Sequence, residues 1–114
     1  MDNQKFQQVL KQCHQSIDNV LNKKAQEYAT GSDRLHNFAV AAKLMGTTTP
    51  YACMGMLNKH LISIRDIVVD YEKQNKIPTI ELLDEKIGDA INYLILLKAC
   101  FLDNMPNKTK TKKQ

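Results

Sequence analysis

Glycine and proline are scarce in this chain, with four and three copies among 114 residues, and they fall between periodic segments rather than inside them. A fold of many short strands needs more turn residues than that, so long helices are the expected elements. Cysteines in C-x-x-C spacing are missing too. Cys13, Cys53 and Cys100 are odd in number and far apart, which leaves zinc and dithiol redox motifs without support. Each lies in an apolar stretch and reads as a small buried hydrophobe of a reducing compartment. Asp2, Asn3 and Gln4 follow Met1 where a secretory signal would need an apolar segment. The longest apolar run, residues 93–97, is too short to span a bilayer. A cytoplasmic protein is expected, with no membrane partner.

A basic domain footprint is also lacking. The net charge is +4, but Lys108, Lys110, Lys112 and Lys113 lie in the last eight residues, which hold no acid. Without these four, twelve basic residues balance twelve acidic ones. Nucleic acid is therefore not an expected partner of the folded part. The natural division is one domain over 1–104 and a disordered basic tail over 105–114.

What the chain does have is helical periodicity. Phe6, Val9, Leu10, Cys13, Ile17, Val20, Leu21 and Tyr28 recur at three- and four-residue steps and predict a first helix over 3–28. Gly31 stops it, and Ser32 or Asp33 can cap a short second helix over 34–45, whose inner face is Leu35, Phe38, Ala41 and Ala42. Gly46 ends that helix. Thr49 as cap and Pro50 in the first turn start a third helix over 50–73. Its expected core stripe is Cys53, Leu57, Leu61, Ile64, Val68 and Tyr71. Pro78 breaks it, and Thr79 caps a fourth helix over 80–102 with Leu83, Ile87, Ala90, Ile91, Leu94 and Leu97 inward. The expected fold is all-α, a compact four-helix bundle. Between Tyr93 and Phe101 only Lys98 is strongly polar, so the last helix needs cover on more than one side. A second subunit is the expected cover, with Leu96 in the contact of a homodimer or higher homo-oligomer.

Three polar groupings stand out. Glu85, Asp89 and Asn92 share one face of the fourth helix, opposite the arc centred on Ile87 and Leu94. That face is the solvated side of an amphipathic helix or, because it turns apolar one turn later at Leu96 and Cys100, the border of a second buried surface. In the latter case two carboxylates can hold a Mg²⁺ ion, which keeps several waters. On the third helix Lys59, Ser63, Asp66 and Asp70 share a face on which Lys59 could meet a phosphate; His60, at its apolar edge, reads as boundary packing. Glu27 and Tyr28 end the first helix, and a folded-back loop brings them toward Asn37 and Phe38.

In this order, Glu27-Tyr28, Asn37-Phe38, Thr49-Pro50, Lys59 and the run Gly88-Asp89-Ala90-Ile91-Asn92-Tyr93 resemble short phage-encoded relatives of the MazG-like nucleotide pyrophosphatases. The resemblance covers about residues 24–97. It implies a small all-α bundle that dimerises, and an activity in which Mg²⁺, held by carboxylates from two helices, assists hydrolysis of nucleoside triphosphates. It also implies nucleotide binding by Glu27, Tyr28, Asn37, Lys59, Asn92 and Tyr93, with Glu85 and Asp89 toward the metal. Two departures stand out. Lys86 replaces the glutamate of the late Glu-x-x-Asp signature, leaving Glu85 one residue early. The earlier Glu-Glu-x-x-Glu signature is absent from the helix reading Asn58-Lys59-His60-Leu61-Ile62-Ser63. Two functions remain open: a nucleotide-binding protein or phosphohydrolase, and a non-catalytic phage-type interaction protein that sequesters a signalling nucleotide or binds a host protein.

Overall fold

The computed structural model describes residues 1–24 and 33–105. Within them are four α-helices: α1 (Asn3–Asp18), α2 (His36–Met45), α3 (Thr49–Gln74) and α4 (Ile80–Asp103). No strand occurs among the described residues. No helix among them is long and apolar enough to cross a membrane.

Local chemistry sets most of the helix ends. Gly46 closes α2 in the left-handed conformation at φ 66°, where a side chain is costly. Thr79 caps α4 by accepting a hydrogen bond from the Leu82 amide at 3.1 Å. Asn75 ends α3 at φ 54°, a conformation that asparagine tolerates. Two caps differ from expectation by a residue or more. Thr48, rather than Thr49, accepts from the Tyr51 amide at 3.3 Å. Leu35 stands at the start of α2 without a side-chain cap, because Asp33 Oδ1 accepts from the Leu35 amide, 2.9 Å away, inside the preceding turn.

The first helix departs further. Its α-helical part stops at Asp18, and a π-helical turn runs from Asn19 to Lys24. Widening the turn changes which carbonyls are partnered within the helix, and the Arg34 guanidinium donates to the carbonyl of Leu21. Residues 25–28 of the expected helix, and all but one residue of the expected tail, lie outside the described residues.

The α3–α4 hairpin is antiparallel, joined through residues 75–79, and carries the core. Phe38, Cys53 and Cys100 form the buried cluster, against which Leu35, Met56, Tyr93, Leu96 and Leu97 pack. Leu57, at 1% exposure, is the largest fully buried side chain. By contrast α1 has no buried residue. It leans on α4 across a crevice of about 260 Å³ lined by Val9, Cys13, Ile17, Leu83, Ile87 and Ile91 among others.

Three expected core faces are corrected. Phe6, Val9 and Leu10 on α1 are exposed, as are Leu61, Val68 and Tyr71 on α3 and Ile87 and Leu94 on α4. On α3 the inward stripe instead passes through Cys53, Leu57, His60 and Ile64, all buried or half-buried. On α4 it passes through Asn92, Leu96 and Cys100, flanked by Ala90 and Leu97 of the expected inward face. Leu96 packs against the Phe38–Cys53–Cys100 cluster of its own chain.

Candidate functional site

One face of α4 begins polar and ends apolar. Along it lie Glu85, Asp89, Asn92, Leu96 and Cys100, about one turn apart. The structure divides this face: the Glu85 and Asp89 side chains are 62% and 40% exposed, whereas Asn92 and Cys100 are buried and Leu96 half-buried. Asn92 is 5% exposed, and its side-chain oxygen has no hydrogen-bond partner among the described residues. A buried acceptor left unpaired costs about 1–3 kcal/mol. The fold carries this cost on the face that joins α4 to its neighbours.

One turn earlier, Asp89 Oδ2 is 3.8 Å from His60 Nδ1 on α3. The His60 ring stacks on Tyr93, with centroids 4.8 Å apart and planes 28° from parallel. Phe38 meets the other side of this assembly edge-on, 6.2 Å from the Tyr93 centroid. Tyr93 thus links α2, α3 and α4. Burial pushes its phenol up, and the nearby Cys53 and Asp89 add to the shift, so the ring is a neutral partner at ordinary pH.

Behind Tyr93 lie two fully buried thiols. The Cys53 sulfur is 3.8 Å from the Tyr93 carbonyl, to which it donates. Burial, followed by the adjacent Cys100, pushes the Cys53 thiol up to about 11. Cys100 is also raised, chiefly by burial. Protonated, enclosed thiols are poor nucleophiles, so the pair serves as packing.

The remaining expected site residues are more dispersed. Lys59 is exposed; its carbonyl accepts from Ser63 Oγ at 3.1 Å. Glu85 is exposed and pairs with Lys86 at 3.7 Å. Asn37 is exposed in the first turn of α2. Glu27 and Tyr28 lie outside the described residues. The structure thus brings Asp89 and Tyr93 together with His60, buries Asn92 one turn beyond Asp89 on α4, and leaves Lys59, Asn37 and Glu85 at the surface. Among the described residues no group of three or more histidine, cysteine or acidic side chains could hold a metal ion. Glu85 and Asp89 alone fit only a hard cation that keeps its waters and takes other ligands from a phosphate.

Sequence reasoning read His60 as edge packing. The signal that places it inward is its phase: Cys53, Leu57, His60 and Ile64 follow each other at four, three and four residues, one continuous helical stripe. A histidine in that phase faces whatever the core faces. No family model matches the chain, and neither a curated protein nor a solved structure does.

Proposed function

We propose that the chain binds a nucleoside phosphate at the polar end of the α3–α4 interface. The observation that carries this reading is the buried oxygen of Asn92, without a partner among the described residues, one turn along α4 from Asp89, whose carboxylate approaches His60. Helical bundles build ligand sites from side chains on facing helices, and an acceptor without a donor is the atom that a ligand N–H or O–H would satisfy. A base amino group or a sugar hydroxyl supplies such a donor. Lys59, one residue from His60, supplies positive charge for the phosphate as a flexible point charge. The MazG-like resemblance supports the same ligand class. Mg²⁺ has a place in this reading only as a phosphate-bound ion touched by Asp89 and Glu85.

A thermal-shift series of nucleoside mono-, di- and triphosphates with and without Mg²⁺ tests the proposal. A ligand present at a hundred times its dissociation constant raises stability by about 2.7 kcal/mol. Asn92→Leu should remove that stabilisation while leaving the fold intact. If binding needs no metal, Lys59→Ala weakens it more than Asp89→Ala; if Mg²⁺ is required, Asp89→Ala is the more damaging. A flat response across the panel would reject nucleotide binding.

A second reading, a non-catalytic interaction protein, draws on a different observation: Phe6, Val9 and Leu10 give α1 an exposed apolar stripe. An amphipathic helix with its apolar side open is a surface that other proteins engage. Flat nucleotide panels would leave this reading in first place.

A further inference from the structure

A groove of about 790 Å³ lies where α2, α3 and α4 meet, a volume that suits a small molecule. Its wall is graded. From α2 it takes Ala39, then Ala42, then Lys43; from α4, Leu97, then Phe101, then Asn104; from α3, Met54, then Tyr51, then Thr49. Each series runs from apolar to polar. On α2 and α4 the series follows the chain, and on α3 it runs against the chain.

The fold places the three polar ends together. Asn104 Nδ2 reaches Thr49 Oγ1 at 3.5 Å and joins the end of α4 to the start of α3. The Thr47 amide donates to the Ala42 carbonyl at 2.9 Å and holds the end of α2 against the turn that leads into α3. Lys43, Asn104 and the hydroxyls of Thr47, Thr48 and Thr49 therefore border one end of the groove, and Ala39, Met54 and Leu97 the other. Ala42 is buried between them at 6% exposure, while Met54 and Phe101 are 39% and 52% exposed. From Leu97 to Asn104 the groove runs for roughly 10 Å along the helix axis.

The charge at the polar end has one sign. Lys43 is the only charged side chain among the described residues that line the groove. It is exposed and joins no ion pair among the described residues. Past Met105 the chain continues into nine residues with four lysines and no acid, so the surplus positive charge of the sequence is attached at the same end. An apolar channel that finishes in a lysine and a row of hydroxyls matches an alkyl chain with an anionic head. A neutral hydrocarbon would leave the polar end unused, and a cationic head would be repelled by Lys43. We propose that the groove binds a free straight-chain carboxylate of medium length. The alkyl chain lies over Ala42 between Met54 and Phe101. The head accepts charge-assisted hydrogen bonds from Lys43 and further ones from the threonine hydroxyls. This site is separate from the nucleotide site, since Asp89, His60 and Asn92 do not line the groove.

Titration of the isotope-labelled full chain with sodium decanoate, followed by amide NMR, tests the proposal. The amides of Ala39, Ala42, Thr47, Met54 and Phe101 should shift together and saturate. Decyltrimethylammonium has the same chain with the opposite head, and butyrate the same head with a short chain; both should bind more weakly. Lys43→Gln should weaken decanoate by about fivefold, the upper end for an exposed ion pair, and Lys43→Arg should restore it. Lys76→Gln, in the turn at the opposite end of the α3–α4 hairpin, should change nothing. Ala39→Trp fills the apolar end and should abolish binding; should that variant fail to fold, the substitutions at the exposed Lys43 still decide. Groove amides that stay still at millimolar decanoate overturn the proposal, as do shifts centred elsewhere. So does tighter or equal binding of the ammonium or of butyrate, or a Lys43→Gln variant that binds decanoate undiminished. Groove amides that respond to phosphatidylglycerol vesicles and not to decanoate would overturn it in favour of a membrane surface.

Discussion

The two faces of α4 are composed against expectation. One carries Asp89 and Asn92 before Leu96 and Cys100, and it is turned into the molecule. The other carries Ile80, Ile87, Leu94 and Phe101, and these are 40% to 72% exposed. Ranked by hydropathy alone, the second face would be the core. The first is inward because other elements meet it: Phe38 and Leu35 from α2 pack beside Leu96 and Cys100, and His60 from α3 meets Asp89. A helix face is buried by what the rest of the chain brings to it, and an apolar face met only at its ends, by α1 at Ile87 and by α2 near Phe101, stays half open.

The comparison breaks most directly at the centre of the inward side. Leu57 faces it from α3 at 1% exposure, so Leu57→Ala removes packed methyl groups and leaves a cavity, at a cost of about 2–5 kcal/mol. Leu94→Ala makes the same chemical change at a side chain 52% exposed and should cost well under half as much. Urea unfolding at low protein concentration measures both. Equal losses would mean that the two faces are not differently buried.

Alkaline pH sharpens the same contrast with a smaller effect. Cys53 is raised from its ordinary 9.0 to about 11, so the folded chain holds that proton more tightly than the unfolded chain. The stability from this group is intact below pH 9 and is lost as pH rises between about 9 and 11. Cys100 and Tyr93 are raised as well and act in the same direction. Melting temperature should fall over that window, and Cys53→Ala should flatten the fall.

The helices themselves were legible because their signals are local. Thr79, Gly46, Pro50 and the Asn75–Pro78 break act within one turn of the chain, and all four helices start within two residues of the sequence reading. The π turn was not legible, because its carbonyl partner, Arg34, is thirteen residues away. Facing was harder still. Leu61, Val68, Ile87 and Leu94 satisfy a helical period as well as the buried residues do, and period alone does not say which apolar row has neighbours. Of the candidate site, Asp89, Asn92 and Tyr93 were visible as a run on one helix. Their partner His60 was discounted, because a long-range contact between α3 and α4 leaves no mark on either segment alone.

Asn92 offers a test in which stability and binding should move in opposite directions. Its unpaired oxygen lies in an almost closed environment, so Asn92→Leu replaces an unsatisfied polar group with an apolar one of similar size. The expected result is a gain of up to about 1 kcal/mol, with loss of any nucleotide-dependent stabilisation. A clear loss of stability would mean that the amide is satisfied in the folded chain by a bound water, and the polar group would then be structural.

The smallest effect belongs to Ile80, which sits in phase with Ile87, Leu94 and Phe101 yet differs from them in what stands beside it. Ile87 lines the crevice beneath α1 and Phe101 a groove shared with Met54, whereas Ile80 lines neither. It is 72% exposed and lies in the first turn of α4, where Thr79 already supplies the cap. Ile80→Ser should therefore change stability by no more than about 0.5 kcal/mol, as exposed substitutions away from special features do. Parallel unfolding of Ile87→Ser should show the larger loss, since Ile87 is 40% exposed and lines the crevice beneath α1. Equal losses for the two variants would mean that the crevice contributes nothing to the packing of α1 on α4.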